Sequence, residues 1–322
     1  MDISQDIPKL KTILYENEVA IASFYITLSN VMVNLTLPPD VYINKTKHVF
    51  SIPLEGPSAV SLDNKDFYIE SVAWIVKPCE VWKLKPVKCY ETLGKVPRML
   101  KIFTVLTPKN LPNTKIVVTT YKNISSESYI LDNPDTNRHR GVPGLWFLIL
   151  PKLNYLPGIL GAVGKPMGMH ILQNGPKLED LDKKQLEKLG NTKLILDDRH
   201  YYVKELGFAL DENGELKDEK YINLGTAKEI KIDDGAQILY IYPTNKPLQI
   251  MTNQWLILNK NGDRHKLFNS EINIQHDSVK LSPGQTIQFQ YIISKNPFDD
   301  NMKKEMMNTI KKLNIADFHK LD

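Results

Sequence analysis

Four residues that could serve acid–base chemistry, Asp197, Asp198, Arg199 and His200, are adjacent in the chain. Carboxylates beside an imidazole could donate and accept protons. Adjacency works against them, because neighbours on a strand point to opposite faces. The other histidines, at 48, 139, 170, 265, 276 and 319, are scattered, with no H-x-H, HExxH or Cys/His spacing. Zinc needs several converging ligands, so no metal site is expected, and no cofactor either. No G-x-S-x-G elbow occurs, and neither cysteine has a histidine near it in sequence. A triad can still be assembled in space from distant residues, but nothing in the sequence favours one.

Gly158, Gly161 and Gly164 lead to Lys165, which invites comparison with a phosphate loop. Such a loop needs G-x-x-x-x-G-K followed by a hydroxyl residue. Here the spacing differs and Pro166 occupies the hydroxyl position, so nucleotide binding is set aside. The run Asp211 to Glu215 has acidic groups but strand-like flanks, which fits a hairpin turn and not a calcium loop. Between Lys77 and Lys101 seven basic side chains outnumber two acidic ones, with Trp74, Trp82 and Tyr90 close by. Basic groups neutralise phosphates while rings stack on bases. A net charge of only +4 favours the plainer reading of a solvated hairpin with core tryptophans. Nucleic acid is not an expected partner. Cys79 and Cys89 are too few for a disulfide scaffold. They could pair across a hairpin, but free buried thiols suit a chain with no visible secretion signal. The three Asn-X-Ser/Thr sequons (Asn34, Asn44, Asn123) carry little weight without secretion.

These residues must be positioned by a mainly β fold. Short runs of β-branched and aromatic residues recur, punctuated by Pro, Asn, Asp and Gly. In the first half they are 20–28, 31–37, 48–54, 67–76, 80–84, 100–106, 115–121 and 128–131. In the second half they are 229–232, 236–242, 248–251, 255–258, 271–275 and 286–294. Asn213-Gly214 and Asn261-Gly262 read as hairpin turns, and Ser282-Pro-Gly-Gln285 as a β-turn. Helices are expected at 6–16, at 178–189, and from Asp299 to Leu321. At 322 residues the chain is long enough for two domains. The expected plan is two antiparallel β-sandwich or jelly-roll-like domains, 1–150 and 191–295. A connector (151–190) holds a Gly/Pro-rich stretch and a linker helix, and a helical tail (296–322) follows.

The segment Gly141–Met169 stands apart, with six glycines, four prolines and only two charges, Lys152 and Lys165. Its Leu145–Leu150 core has the length and composition of a strand buried on both faces. Membrane contact is disfavoured, because irregular backbone in lipid leaves amides unpaired. No secretory signal and no run of eighteen apolar residues is visible. The expected location is therefore a virion, if the chain is viral, and otherwise the cytoplasm.

With no catalytic signature, the sequence leads to a non-enzymatic assembly role. The expectation is a viral or phage particle subunit: a capsid vertex, a collar or tail ring, or an adhesion module. It would self-associate, or join other particle subunits, through strand edges, the apolar connector and the C-terminal helix. Expected interface anchors are Trp146, Phe147, Tyr155, Leu156, Ile159 and Leu160, with Met302, Met306 and Ile310 on the helix. The alternative is a two-domain β-sandwich protein that binds a carbohydrate or another ligand, with Trp82, Tyr240, Tyr242 and Trp255 as aromatic platforms. A glycoside hydrolase ranks third, since it needs two carboxylates across a cleft, which sequence alone does not show.

Overall fold

A computed structural model describes residues 10–14, 20–36, 41–44, 47–82, 85–89, 98–131, 144–152, 160–163, 169–172, 182–206, 222–247, 249–253, 257–258, 264–265 and 270–321. Two large antiparallel sheets dominate. Sheet I runs, in spatial order, Lys11–Leu14, Ala20–Thr27, Val31–Thr36, Gly144–Pro151, Ser270–Gln275, Gln249–Asn253 and Ile222–Asn223. Sheet II runs Arg199–Tyr202, Lys193–Leu196, Ile230–Asp233, Ile238–Pro243, Thr286–Ser294, Thr114–Asn123, Met99–Pro108, Phe67–Trp82, Lys47–Asp63 and Val41–Asn44. Lys85–Cys89 branches off Phe67–Trp82 and sets Cys89 opposite Cys79 in register. The expected mainly β, antiparallel, sandwich-like class is what the chain adopts.

The sheets do not follow the expected division at 150 and 191. Gly144–Pro151 pairs with Val31–Thr36 on one side and Ser270–Gln275 on the other. Thr286–Ser294 pairs with Thr114–Asn123 over nine residues. Both sheets therefore mix strands from the two halves. The physical reason lies in Leu145–Leu150, since a strand apolar on both faces must lie inside a sheet and be covered twice. Phe147 and Ile149 face the other sheet, in the main core. Leu148 and Leu150 face away, packed with Met32 and Tyr25.

The main core fills the space between the sheets. Phe24, Val33, Leu35, Phe147, Ile250, Ile272 and Ile274 come from sheet I. Phe103, Val105, Val117, Tyr121, Phe289, Tyr291 and Ile293 come from sheet II. Phe24 and Phe103 meet across it with ring centroids 6.3 Å apart. Asn30 ties the two sheets at one end, its amide N–H donating to Asp234 Oδ2 at 2.5 Å and its Nδ2 to the Asp234 carbonyl at 2.9 Å.

Helix α1, Lys183–Asn191, starts five residues later than the periodicity predicts. Asp182 caps it, accepting from Gln185 N at 2.6 Å, while Gln185 Oε1 accepts from Asp182 N at 3.1 Å. This reciprocal cap fixes the start. A short α2, Val203–Leu206, follows the Arg199–Tyr202 strand. The helix expected at 6–16 is replaced, in its described part, by a strand, Lys11–Leu14, paired with Ala20–Ser23. Its apolar spacing is also compatible with a strand, and an available sheet edge decides. Both Asn-Gly turns lie outside the described residues, whereas the Ser282 turn forms, with Gln285 N donating to Ser282 O at 2.9 Å.

The outer face of sheet II is apolar too, carrying Phe67, Ile69, Ala73, Ile75, Leu100, Ile102, Leu106, Ile116 and Val118. The C-terminal tail covers it through α3, Asp300–Lys311, and a 3-10 turn, Ile315–Phe318. Among the described residues, no helix is long and apolar enough to cross a membrane.

Lys47–Asp63 carries one local irregularity with a measurable consequence. Its register against Phe67–Trp82 shifts between Pro53 and Glu55 and again between Glu55 and Ser58. Gly56 sits there at φ +105°. A Cβ on it would lie 2.7 Å from the Ala73 carbonyl oxygen and 3.2 Å from Trp74 Cα. Gly56→Ala is therefore expected to cost about 2–3 kcal/mol, seen as a lower urea midpoint at unchanged m.

Candidate functional site

A cleft of about 450 Å³ opens at one end of sheet II, where two hairpin turns meet the start of α3. The first turn joins Lys47–Asp63 to Phe67–Trp82. Asn64 Oδ1 organises it by accepting from Asp66 N at 2.9 Å and Phe67 N at 2.8 Å, the usual service of an asparagine in a turn. The second turn, after Met99–Pro108, is closed by Leu111 N donating to Pro108 O at 3.1 Å. Lys109 N donates to Asp66 O at 2.9 Å and locks the two turns together. On the third side Asp299 caps α3, accepting from Met302 N at 2.8 Å.

The cleft has an apolar floor and a polar mouth. Phe67, Leu111, Phe298, Met302 and Met306 form the floor, and Lys65, Asp66, Lys109, Asn110 and Glu305 ring the opening. Lys109 is held in place by an ion pair with Asp63 and by the face of Tyr68, 4.7 Å from its centroid. The hydrogen bond to Asp63 raises its ammonium above the ordinary lysine value. Phe298 is fixed from behind, its N–H donating to Tyr242 Oη at 3.0 Å. Burial pushes the Tyr242 hydroxyl far above its usual range, so it remains a neutral partner.

A second concentration of polar groups is buried between the sheets. His276 Nε2 lies 2.8 Å from Tyr291 Oη, and its ring stacks on Phe289 with centroids 4.5 Å apart. Near it in sequence and sheet, Gln249 Nε2 donates to Gln275 Oε1 at 2.6 Å, and Asn223 Nδ2 donates to Gln249 Oε1 at 2.9 Å. Burial lowers the His276 pKa to about 4, partly opposed by a hydrogen bond to the Lys246 backbone. Burial also raises the Tyr291 hydroxyl well above its ordinary value. This pair is neutral at neutral pH and is occupied by its own contacts. The cleft is open, and it is the better candidate for a ligand.

The structure distributes the residues singled out by sequence unevenly. Met302 and Met306 line the cleft. Ile310 is 1% exposed and packs on the outer face of sheet II. Trp146 and Phe147 are buried inside sheet I of the same chain. Leu160 opens a small strand, Leu160–Val163, opposite Leu172. Tyr155, Leu156, Ile159 and Trp255 lie outside the described residues. Trp82 ends its strand opposite Lys85. Tyr240 and Tyr242 stack on each other, centroids 6.2 Å apart and planes 10° apart, and Lys303 caps Tyr242 at 4.3 Å. Tyr242 packs with Phe298 and Met302 and so backs the cleft instead of offering a platform. Asp197 and Asp198 form the tight turn between Lys193–Leu196 and Arg199–Tyr202. Arg199 and His200 start the return strand, with the Arg199 guanidinium donating to the carbonyls of Leu224 and Thr226. The run forms no common site.

No protein-family model matches the chain, and no curated protein matches its sequence. Solved structures do align with it. A putative aldose 1-epimerase from Escherichia coli K12 covers 89% of this chain and 98% of its own, at 9% identity and a TM-score of 0.35. A GalM/aldose epimerase homologue from C. elegans covers 91% of this chain and 100% of its own, at 10% identity and a TM-score of 0.38. Neither is named as a capsid, collar, tail or adhesion subunit. The expectation of a non-enzymatic particle subunit, with the virion as its location, finds no support in these comparisons and is withdrawn. At this distance neither likeness speaks to the activity of this chain. Sequence reasoning missed the cleft because Lys65, Asp66, Lys109, Asn110 and Glu305 look like ordinary turn and helix-surface residues. His276 did leave a signal, since strand alternation places it with Ile272 and Ile274 on the inward face.

Proposed function

We propose that this chain binds a small carbohydrate, or a ligand with the same mixture of apolar faces and hydroxyls, in the cleft between the two hairpin turns and α3. The observation that carries this reading is the make-up of the cleft. Its volume lies in the range of small-molecule sites, which are mainly apolar with a few placed polar groups. A sugar ring presents C–H faces that suit Phe67, Phe298 and the two methionines. Its hydroxyls suit the carboxylates of Asp66 and Glu305, the Asn110 amide and the lysine ammonium groups, because carboxylates accept and amides do both. Lys109, already held by Asp63 and Tyr68, needs little further ordering when a ligand arrives, and pre-ordering saves binding free energy.

The test is a ligand screen by NMR line broadening with simple aldoses, sugar acids and amino sugars, followed by titration calorimetry. Asp66→Ala and Glu305→Ala are expected to weaken binding about tenfold each, the loss of one hydrogen bond to a charged group. As surface changes, both should leave stability within about 0.5 kcal/mol. Met302→Trp should fill the floor and abolish binding. A carbohydrate that binds equally well to all three variants would place the site elsewhere.

A further inference from the structure

The outer face of sheet II carries a short polar row in otherwise apolar surroundings. Ser71 and Thr104 are opposite each other in the ladder, their hydroxyl oxygens 2.7 Å apart. The C-terminal segment lays His319 beside them. Its Nε2 is 2.7 Å from Ser71 Oγ, and its Nδ1 is 3.0 Å from Ser58 Oγ. One arrangement of protons serves all four residues. Ser58 donates to Nδ1, the Nε2–H donates to Ser71, and Ser71 donates to Thr104. His319 is then a neutral imidazole with its basic lone pair on Ser58. Burial holds its pKa below the ordinary histidine value and favours that neutral form.

Packing accounts for half of this arrangement. Ser71 and Thr104 are buried and need partners, and Nε2 supplies one. Ser58 is only half-buried, so its hydroxyl has no such need. Yet two register shifts come just before it, and Gly56, within the second, has a backbone conformation that other residues rarely adopt. Bulges of this kind re-aim side chains, often beside active sites.

We propose that Ser58 is a nucleophile, His319 its general base and Ser71 the positioning residue that orients the imidazole, and that the site acts on small carboxylic esters. Ser58 Oγ adds to the ester carbonyl carbon while its proton passes to His319 Nδ1. The tetrahedral adduct collapses, the acyl–oxygen bond breaks, and the leaving alkoxide takes the proton from Nδ1. Water then gives a proton to Nδ1 and adds to the acyl-Ser58 ester. Collapse of that adduct releases the carboxylic acid and returns the proton to Ser58. The exposed flanks at Gly56, Pro57 and Ala59 leave a small ester a way in. None of the four residues lines the sugar-sized cleft, so the two sites succeed or fail separately.

The full chain is treated with an alkyl fluorophosphonate and followed by intact mass and peptide mapping. A single adduct on Ser58 is expected, with slow turnover of p-nitrophenyl acetate. Ser58→Ala should abolish both while the chain stays folded, with a thermal midpoint lowered only by the loss of one hydrogen bond to His319. His319→Gln should slow labelling by about 100-fold or more, the usual contribution of a general base. Ser71→Ala should slow it while Ser71→Thr restores it, a rescue that packing alone would not give. Because His319 variants can loosen the C-terminal segment, Ser58→Ala decides. An unlabelled wild-type chain, or labelling unchanged in Ser58→Ala, overturns the proposal and leaves His319 as a clasp.

Discussion

Ile310→Ala is expected to cost about 3–4 kcal/mol, the usual penalty for emptying a fully buried aliphatic position. Ile310 is the one α3 residue buried completely, and it sits over the apolar outer face of sheet II with Ile315 beside it. A mesophilic domain holds only about 5–15 kcal/mol in all, so this one change should shift the urea midpoint by a large fraction. The transition should also be independent of protein concentration, because the helix docks on its own chain. Docking on a neighbouring subunit would make the midpoint rise with concentration by mass action, and that result would overturn the intramolecular arrangement. The same variant should weaken ligand binding at the cleft. Met306 and Thr309 line the cleft one turn or less before Ile310, so a loosened helix end misplaces one of its walls.

The contrast between the two halves of this prediction shows what the sequence could and could not carry. The α3 stripe of Met302, Met306 and Ile310 was legible, because helical spacing of apolar residues is a local signal. What the stripe would meet was not legible, since the answer is a sheet face assembled from residues as far apart as Phe67 and Val118. Individual strands were legible for the same local reason, and Thr286–Ser294 was found at its full length. Their pairing was not. The strand Gly144–Pro151 reads locally as something buried on both faces, but nothing in it names Val31–Thr36 and Ser270–Gln275 as neighbours. Placing a domain boundary after it followed naturally from the Gly/Pro-rich sequence that comes next. The ladders that cross that boundary are non-local contacts, whose cost and reward appear only in the whole sheet. The cleft was invisible for a further reason. It is built where the tips of two hairpins meet a helix start, and each contributor taken alone is a normal turn or cap residue. Ser58, Ser71 and His319 come together across 261 positions of sequence, and no spacing rule reaches that far.

Acid should destabilise the chain well above the range in which most carboxylates titrate, and His276 is the main cause. Its pKa is about 4 in the fold, against about 6.5 in an unfolded chain. A group with a depressed folded pKa binds more protons when unfolded, so stability rises with pH between the two values. The contribution is complete above about pH 7.5, declines as pH falls through 6.5 and is exhausted near 4. A gap of this size corresponds to about 3 kcal/mol. His319, also lowered by burial, acts in the same direction over the upper part of that window. Urea midpoints measured from pH 8 to pH 4.5 should therefore fall steadily, with a slope close to one proton taken up on unfolding, or somewhat more near pH 6. The control follows from the geometry. His276→Phe alone keeps a ring on Phe289 but strands the buried Tyr291 hydroxyl, which costs about 1–3 kcal/mol. His276→Phe with Tyr291→Phe removes both polar partners, and such paired removal is close to neutral. The double variant should match the parent near pH 7.5 to 8, lose most of its pH dependence above pH 5, and so be the more stable of the two at pH 5 to 6. If the steep decline persists in the double variant, other groups drive the acid transition and the buried His276–Tyr291 pair does not.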